Sequence, residues 1–270
     1  MGAEVSRFEI AYSDAGDAVL RRIGEEVYGE YIGQQGWMTT EEYRRFIARL
    51  APQPDSHILE IGAGTGGCAV YLAATTESRV TGLEIVESGV RRGEALAKAK
   101  GLENRVAFRC ADAARPLPFG DDSFDAVFSN DSFHHLADRL SLFRQCHRVL
   151  HTGGRLLFTD PMVLAGIVSS DEIRQRSWGP PACLVPHGEN ERLLQLAGFE
   201  IMSWDDLTED VVVVARRQAA AFEKHRNELI QLFGAEGYQG LVNYTAMAGT
   251  LADQKRLMRV AYLSRKAASR

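Results

Sequence analysis

Glu60-Ile61-Gly62-Ala63-Gly64-Thr65-Gly66-Gly67 is the stretch whose reading decides the fold. It follows the apolar run His57-Ile58-Leu59 and opens a helical pattern over 67–75. A short apolar strand, a glycine-rich turn and a helix are the start of a βαβ unit. The glycines let the chain turn sharply and approach a ligand with no Cβ in the way. Gly62, Gly64 and Gly67 also fit the G-x-G-x-x-G dinucleotide spacing, which by itself leaves a nicotinamide-dependent dehydrogenase open.

Downstream the alternation continues. Strands are predicted over 79–84, 105–110, 124–129 and 155–159, with helices over 88–100 and 138–150. Strands and helices at this spacing argue for an α/β, Rossmann-like, mainly parallel sheet with helices on both faces. Such strands are buried on both sides and read as near-continuous apolar runs. Beyond Asp160-Pro161 the alternation loosens into helices over 170–178, 188–197 and 209–233, a strand over 199–204 and a closing strand over 257–264. Upstream, amphipathic helices over 14–28 and 40–50 flank a loop from Tyr28 to Trp37, and Pro52 and Pro54 mark a boundary. The expected organisation is an N-terminal helical lid over 1–50 and a nucleotide-binding core over 51–162. A substrate cap with one core strand follows over 163–240, and the chain returns to the sheet over 241–270.

The 270 residues are 45% hydrophobic and 25% charged, which is a globular composition. Net charge is −5 with no basic stripe, so the footprint of a nucleic-acid binder is missing. No run reaches the ~20 apolar residues of a membrane span. Met1-Gly2 with Ser6 fits the loose myristoylation pattern, which is read as chance. Cys68, Cys110, Cys146 and Cys183 share no metal-type spacing and are expected to be reduced thiols of a cytoplasmic protein. A metal site is not expected, and the oligomer, monomer or homodimer, is not legible.

Three acids choose between cofactor classes. Glu60 stands at the tip of the first strand, where its carboxylate would repel a pyrophosphate but suits an ammonium group. Glu84 ends the second strand, where it can accept from ribose hydroxyls. Asp112 follows the third strand, where it can accept from an adenine amino group. One acid per strand end lines the carboxyl edge at which ligands bind in such sheets.

With these residues in place, the stretch from His57 to Asp160 resembles the core of class I S-adenosylmethionine (SAM)-dependent methyltransferases. The resemblance implies seven strands with the last antiparallel. It implies SAM as cofactor and S-adenosylhomocysteine (SAH) as product. Glu60 with Gly62, Gly64, Gly66 and Asn130 would hold the methionine end, Glu84 the ribose, and Asp112 the adenine, with Ile85 and Ala113 flanking the ring. The whole chain is similar to small-molecule N-methyltransferases of the phosphoethanolamine and sarcosine/dimethylglycine types. On that likeness, Ala11-Tyr12-Ser13-Asp14 and Asp131-Ser132-Phe133-His134-His135 match the segments of a catalytic Tyr–His pair. Tyr12 and His135 become the candidate pair, Asp131 reaches the substrate amine, and Tyr31 and Ile32 of the lid loop cover the cofactor. Arg176, with Lys255 as a second cation, is expected to meet an anionic group on the substrate. Trp37 and Trp178, with Phe222 and Phe233, would line an apolar pocket or serve as plain core.

The two adjacent histidines are not expected to point the same way, so one of them should be structural or exposed. A histidine with its pKa near 6.5 can take a proton at neutral pH. Methylation of carbon or oxygen in a natural product or isoprenoid, and SAM binding without catalysis, stay open beside the small-molecule amine reading.

Overall fold

The computed structural model describes residues 2–177 and 182–267. The parallel half of the sheet is built from β1 (His57–Ile61), β2 (Arg79–Glu84), β3 (Val106–Cys110), β4 (Phe124–Ser129) and β5 (Leu150–Leu164). These alternate with α4 (Gly67–Thr76), α5 (Glu87–Ala99) and α6 (Arg139–Val149); α1 (Gly2–Ala11), α2 (Asp14–Tyr28) and α3 (Thr40–Leu50) precede them. After β5 come α7 (Ser170–Gln175), β6 (Val185–Pro186), α8 (Glu189–Leu196), β7 (Phe199–Asp206), α9 (Thr208–Lys224), α10 (Arg226–Asp253) and β8 (Leu257–Lys266). The strand order is β3-β2-β1-β4-β5-β8-β7, with the two-residue β6 pairing off that path to β5. β1 to β5 run parallel, and β8 runs antiparallel to both of its neighbours. The mixed α/β sheet with an antiparallel last strand is the one the resemblance implied.

Successive side chains on each strand point to opposite faces, so a strand that is apolar throughout feeds two cores. Leu59, Val127, Leu156 and Phe158 enter the cluster on one face with Phe133, Phe143 and Tyr262. Ile58, Phe128 and Leu157 enter the other, with Tyr43, Phe46 and Leu72. A third cluster joins lid to cap through Ile23, Val27, Trp37, Val214, Phe222, Leu229 and Leu241. Side-chain caps start the lid helices where the sequence places Ser and Thr: the Ser13 hydroxyl accepts from Gly16 N at 3.1 Å and the Thr39 hydroxyl from Glu42 N at 3.1 Å.

Three expectations are corrected. Residues 2–11, over which no helix was predicted, form α1. The helix expected over 209–233 is two helices meeting at His225, and the second runs on to Asp253. It is interrupted at Gly234, whose φ of 77° and ψ of 167° suit only glycine. The helix expected over 170–178 ends at Gln175. Among the described residues no helix is long and apolar enough to cross a membrane.

Candidate active site

The carboxyl ends of β1, β2 and β4 open into one cavity of about 550 Å³, roofed by the lid and the cap. It lies where the order of the parallel strands reverses between β1 and β4, the place where open α/β sheets bind ligands. Glu60, Gly62, Gly64, Glu84, Ile85, Asp112, Ala113, Asn130, Asp131, Tyr12, Tyr31, Trp37, His135 and Arg176 all reach its wall.

Glu60 is 3% exposed and its Oε2 has no hydrogen-bond partner. Burial, with the neighbouring charge of Glu84, pushes its pKa up to about 8. An acid in that state lacks a cation. Glu84 is also buried, but its carboxylate accepts from Gly64 N at 2.8 Å and from Ile85 N and Val86 N at 2.9 Å each. Burial still raises its pKa, and these three N–H groups oppose the rise. Asp112 accepts from Ala114 N at 2.8 Å. An orphaned acid beside an acid tied to the glycine turn fits the amine and ribose of SAM, and the partly exposed Asp112 fits its base.

The glycines act in a way the spacing did not reveal. A Cβ on Gly62 would lie 2.3 Å from the Ser132 hydroxyl, and one on Gly67 would lie 2.0 Å from the Ile32 carbonyl. The turn is therefore pressed against protein at both ends, while Gly64 faces the cavity below the Tyr12 hydroxyl, 3.4 Å from where its Cβ would be.

Two predicted cofactor residues stand off the cavity wall. Gly66 is packed on Phe108 and Gly93. Ile32 packs its side chain into the core beside α4 and lays its carbonyl over Gly67. Lys255 is exposed and reaches no part of the cavity. Trp178 lies outside the described residues. Phe222 and Phe233 both line the cavity, so that pair is wall as well as core.

Tyr12 sits just beyond α1, and His135 ends a single 3₁₀ turn, Phe133–His135, after β4. Both rings pack on Phe8, at 5.8 and 6.5 Å between centroids. Burial and the charge of Glu84 drive the Tyr12 pKa up, so it stays a phenol that can donate. His134 and His135 both line the cavity, with centroids 3.9 Å apart. The expectation that one would turn away fails because successive residues of a 3₁₀ turn are about 120° apart, not opposed. His134 is buried with Nδ1 unpaired, and burial together with His135, Arg176 and Arg139 holds its pKa well below the usual histidine value. It is a poor proton acceptor.

Asp131 is spent inside the protein. Its oxygens accept from Arg259 Nε at 2.9 and 3.2 Å, from Thr159 Oγ1 at 2.7 Å and from Trp37 N at 3.1 Å. Arg259 Nη1 reaches Glu42 at 2.6 Å and Nη2 reaches Asn130 Oδ1 at 3.1 Å. Asn130 in turn donates to Gln35 O at 3.1 Å. Fully buried Arg259 thus ties β8, α3, the turn after β4 and the lid loop together. The sequence reading missed it, although an arginine inside the apolar strand Met258-Arg259-Val260-Ala261-Tyr262-Leu263 is a signal of a buried pair. Tyr244 was also missed: its ring stacks on Trp37 at 5.8 Å, and the Arg176 guanidinium carbon lies 4.6 Å from it and 5.5 Å from Trp37.

Residues 59–158 match the family described as a methyltransferase domain. The chain is 33% identical over 200 residues to a glycine/sarcosine/dimethylglycine N-methyltransferase of Actinopolyspora halophila, covering 72% of this chain and 34% of the relative. It is 30% identical over 244 residues to the 27-O-demethylrifamycin SV methyltransferase of Amycolatopsis mediterranei, covering 87% of this chain and 88% of the relative. It spans less than half the length of several of the curated relatives it matches. Among solved structures, a Haemonchus contortus phosphoethanolamine N-methyltransferase 2 in complex with phosphomonomethylethanolamine and SAH superposes with a TM-score of 0.78 at 22% identity, over 96% of this chain and 58% of that one.

Proposed function

The chain belongs to the SAM-dependent methyltransferases, and from that premise we propose that it transfers a methyl group to a small-molecule acceptor, with an amine nitrogen as the accepting atom. The observation that carries the reading is Glu60, a buried acid with an orphaned oxygen at the tip of β1, on one cavity wall with Glu84 and Asp112. In this reading Glu60 takes the ammonium of the methionine end, beside the backbone of Gly62 and Gly64. Glu84 takes the ribose hydroxyls and Asp112 the adenine amino group, between Ile85 and Ala113. Tyr31, stacked on Tyr28 at 6.3 Å, covers the cofactor. Bound there, SAM supplies a methyl group already activated on a sulfonium.

The protein's own work is to align, dry and deprotonate. Holding donor and acceptor in line is worth ~7–11 kcal/mol of barrier. The apolar wall formed by Trp37, Phe222 and Leu241 keeps water from the acceptor. Removing the amine's proton frees the lone pair, and His135 is the base in our reading, because His134 is held neutral by its surroundings. Tyr12, kept as a phenol, orients the acceptor through its hydroxyl. Asp131 serves as a positioning residue, since its oxygens fix Trp37 and Arg259.

Incubation with methyl-labelled SAM and a panel of amines is expected to give labelled product and SAH in equal amounts. A protein that binds neither SAM nor SAH in a calorimetric titration would end the reading. His135→Ala should lower kcat on the order of 10²–10⁴-fold while leaving SAH affinity intact. An unchanged rate would reassign the base. Mass spectrometry of the product separates nitrogen from carbon or oxygen as acceptor.

A further inference from the structure

The wall that lid and cap give the cavity is largely apolar, yet it carries a band of uncharged polar groups. Tyr28 of α2, Gln218 of α9 and Thr245 of α10 all reach the cavity. Tyr28 is well satisfied, since its hydroxyl donates to Gly36 O at 2.8 Å. The other two are not. Gln218 Nε2 donates to Gly36 O at 3.3 Å and to Tyr28 Oη at 3.5 Å, and Thr245 Oγ1 donates to Gln218 Oε1 at 3.5 Å. Good bonds of these kinds close at about 2.7–3.0 Å, and stretched ones are weak. Thr245 stands apart from other threonines inside helices. Thr75 donates back to Tyr71 O at 2.9 Å, Thr76 to Leu72 O at 2.7 Å and Thr250 to Ala246 O at 2.9 Å. Among the described residues Thr245 makes no such bond, although it is 1% exposed. A buried hydroxyl that forgoes the bond its own helix offers is left with a poor one, at a cost to the fold.

The gap between these two side chains has a direction. Gly36 O can only accept, so the Gln218 nitrogen faces it and the Gln218 oxygen faces Thr245. Nε2 is occupied by Gly36 and Tyr28, while Gln218 Oε1 and Thr245 Oγ1 keep lone pairs to offer. The atom that fits between them must donate one hydrogen bond and accept another. An alcohol oxygen does both: it would donate to Gln218 Oε1 and accept the Thr245 hydrogen. One stretched bond becomes two of ordinary length. An ionised carboxylate, a ketone or an ether has no hydrogen to give, and an ammonium has no lone pair to receive one. Burial raises the Tyr28 pKa, so its phenol adds no negative charge to the band.

We infer that the methyl acceptor carries, apart from the atom that is methylated, an alcohol hydroxyl that docks between Gln218 and Thr245, and that these two residues select for it. The inference rests on the methyl-transfer reading of the same cavity.

Calorimetry on the full chain saturated with SAH tests it, with 3-phenylpropan-1-ol and its methyl ether as matched probes. The alcohol is expected to bind at least about tenfold tighter than the ether, which leaves Gln218 Oε1 without a donor. Thr245→Val keeps the shape and removes the hydroxyl, and Gln218→Met keeps the length and removes the amide. Each should bring alcohol and ether to within about twofold of one another by weakening the alcohol alone. Thr245→Ser keeps the hydroxyl and should keep the preference. Unchanged SAH affinity in the variants shows that they are folded. Equal binding of the two probes by the wild type, or no binding of the alcohol, would overturn the inference. So would a preference that survives Thr245→Val and Gln218→Met, because the wall would then be sensing the extra methyl of the ether. Should SAH itself fail to bind the wild type, the methyl-transfer reading falls. The alcohol–ether comparison, repeated without nucleotide, then still decides the hydroxyl subsite.

Discussion

Glu60 is a single side chain whose burial costs the fold stability and to which the proposed function gives a use. Its pKa stands at about 8 because the carboxylate is buried beside Glu84 with no cation. In the unfolded chain the same group ionises near the usual carboxylate value of about 4.3. Between those values the unfolded chain has lost a proton that the folded chain keeps. On this group's account, the ligand-free protein therefore loses stability as pH rises from about 4 to about 8. Glu60→Gln keeps the shape and removes the titration. Thermal melts of the ligand-free protein across this range should show the variant gaining on the wild type as pH rises. At neutral pH the same variant should lose SAH affinity on the order of tenfold to a hundredfold, since a charge-assisted hydrogen bond is gone. A variant that melts like the wild type at every pH and binds SAH as well would show that Glu60 is a spectator.

At the level of elements, β8 and the cap hold most of what the sequence concealed. The parallel half was legible because β1, β2 and β4 carry nearly continuous buried runs, although β3 is largely exposed, and an acid at a strand tip stands out against such a run. The direction of β8 was not, because an apolar strand reads the same in either sense; the likeness to a family carried that point. The break at Gly234 was hidden because an isolated glycine in a helical pattern is usually tolerated, and only the backbone angles reveal it. Arg259 left a trace in the sequence, yet its partners lie 217 residues away at Glu42 and 128 residues away at Asp131. No local pattern joins such positions. The network sets a clear expectation. Arg259→Met leaves two buried acids without their cation and should destabilise the protein by about 3–5 kcal/mol, read from urea unfolding. It should also release Trp37, whose N–H is held by Asp131, and so shift the Trp fluorescence of the folded state. Arg259→Lys should recover part of both. A loss below about 1 kcal/mol would mean that the acids find other partners.

Across the whole molecule, two thick cores support the sheet, while the third cluster is shared between lid, cap and cavity. This is why the cavity wall could not be told from plain core by pattern alone. Ile23 and Val27 of α2 recur at the spacing of any buried helix face, and only the assembled fold shows that they line a space. It also means that the roof gains its full packing only when the cavity is filled. Hydrogen exchange measures that directly, because amides in weakly packed elements open locally and a ligand bound to the closed form suppresses the opening. Added SAH should protect the turn after β1 and the ends of β2 and β4. It should also protect α2, the Tyr28 to Trp37 loop and the segment of α10 around Gly234, although none of these belongs to the sheet. β6 and β7, which lie off the cavity apart from Ala182 nearby, should exchange as before. Protection confined to residues 57–136 would mean that lid and cap are fixed covers, and that entry to the site needs no movement of either.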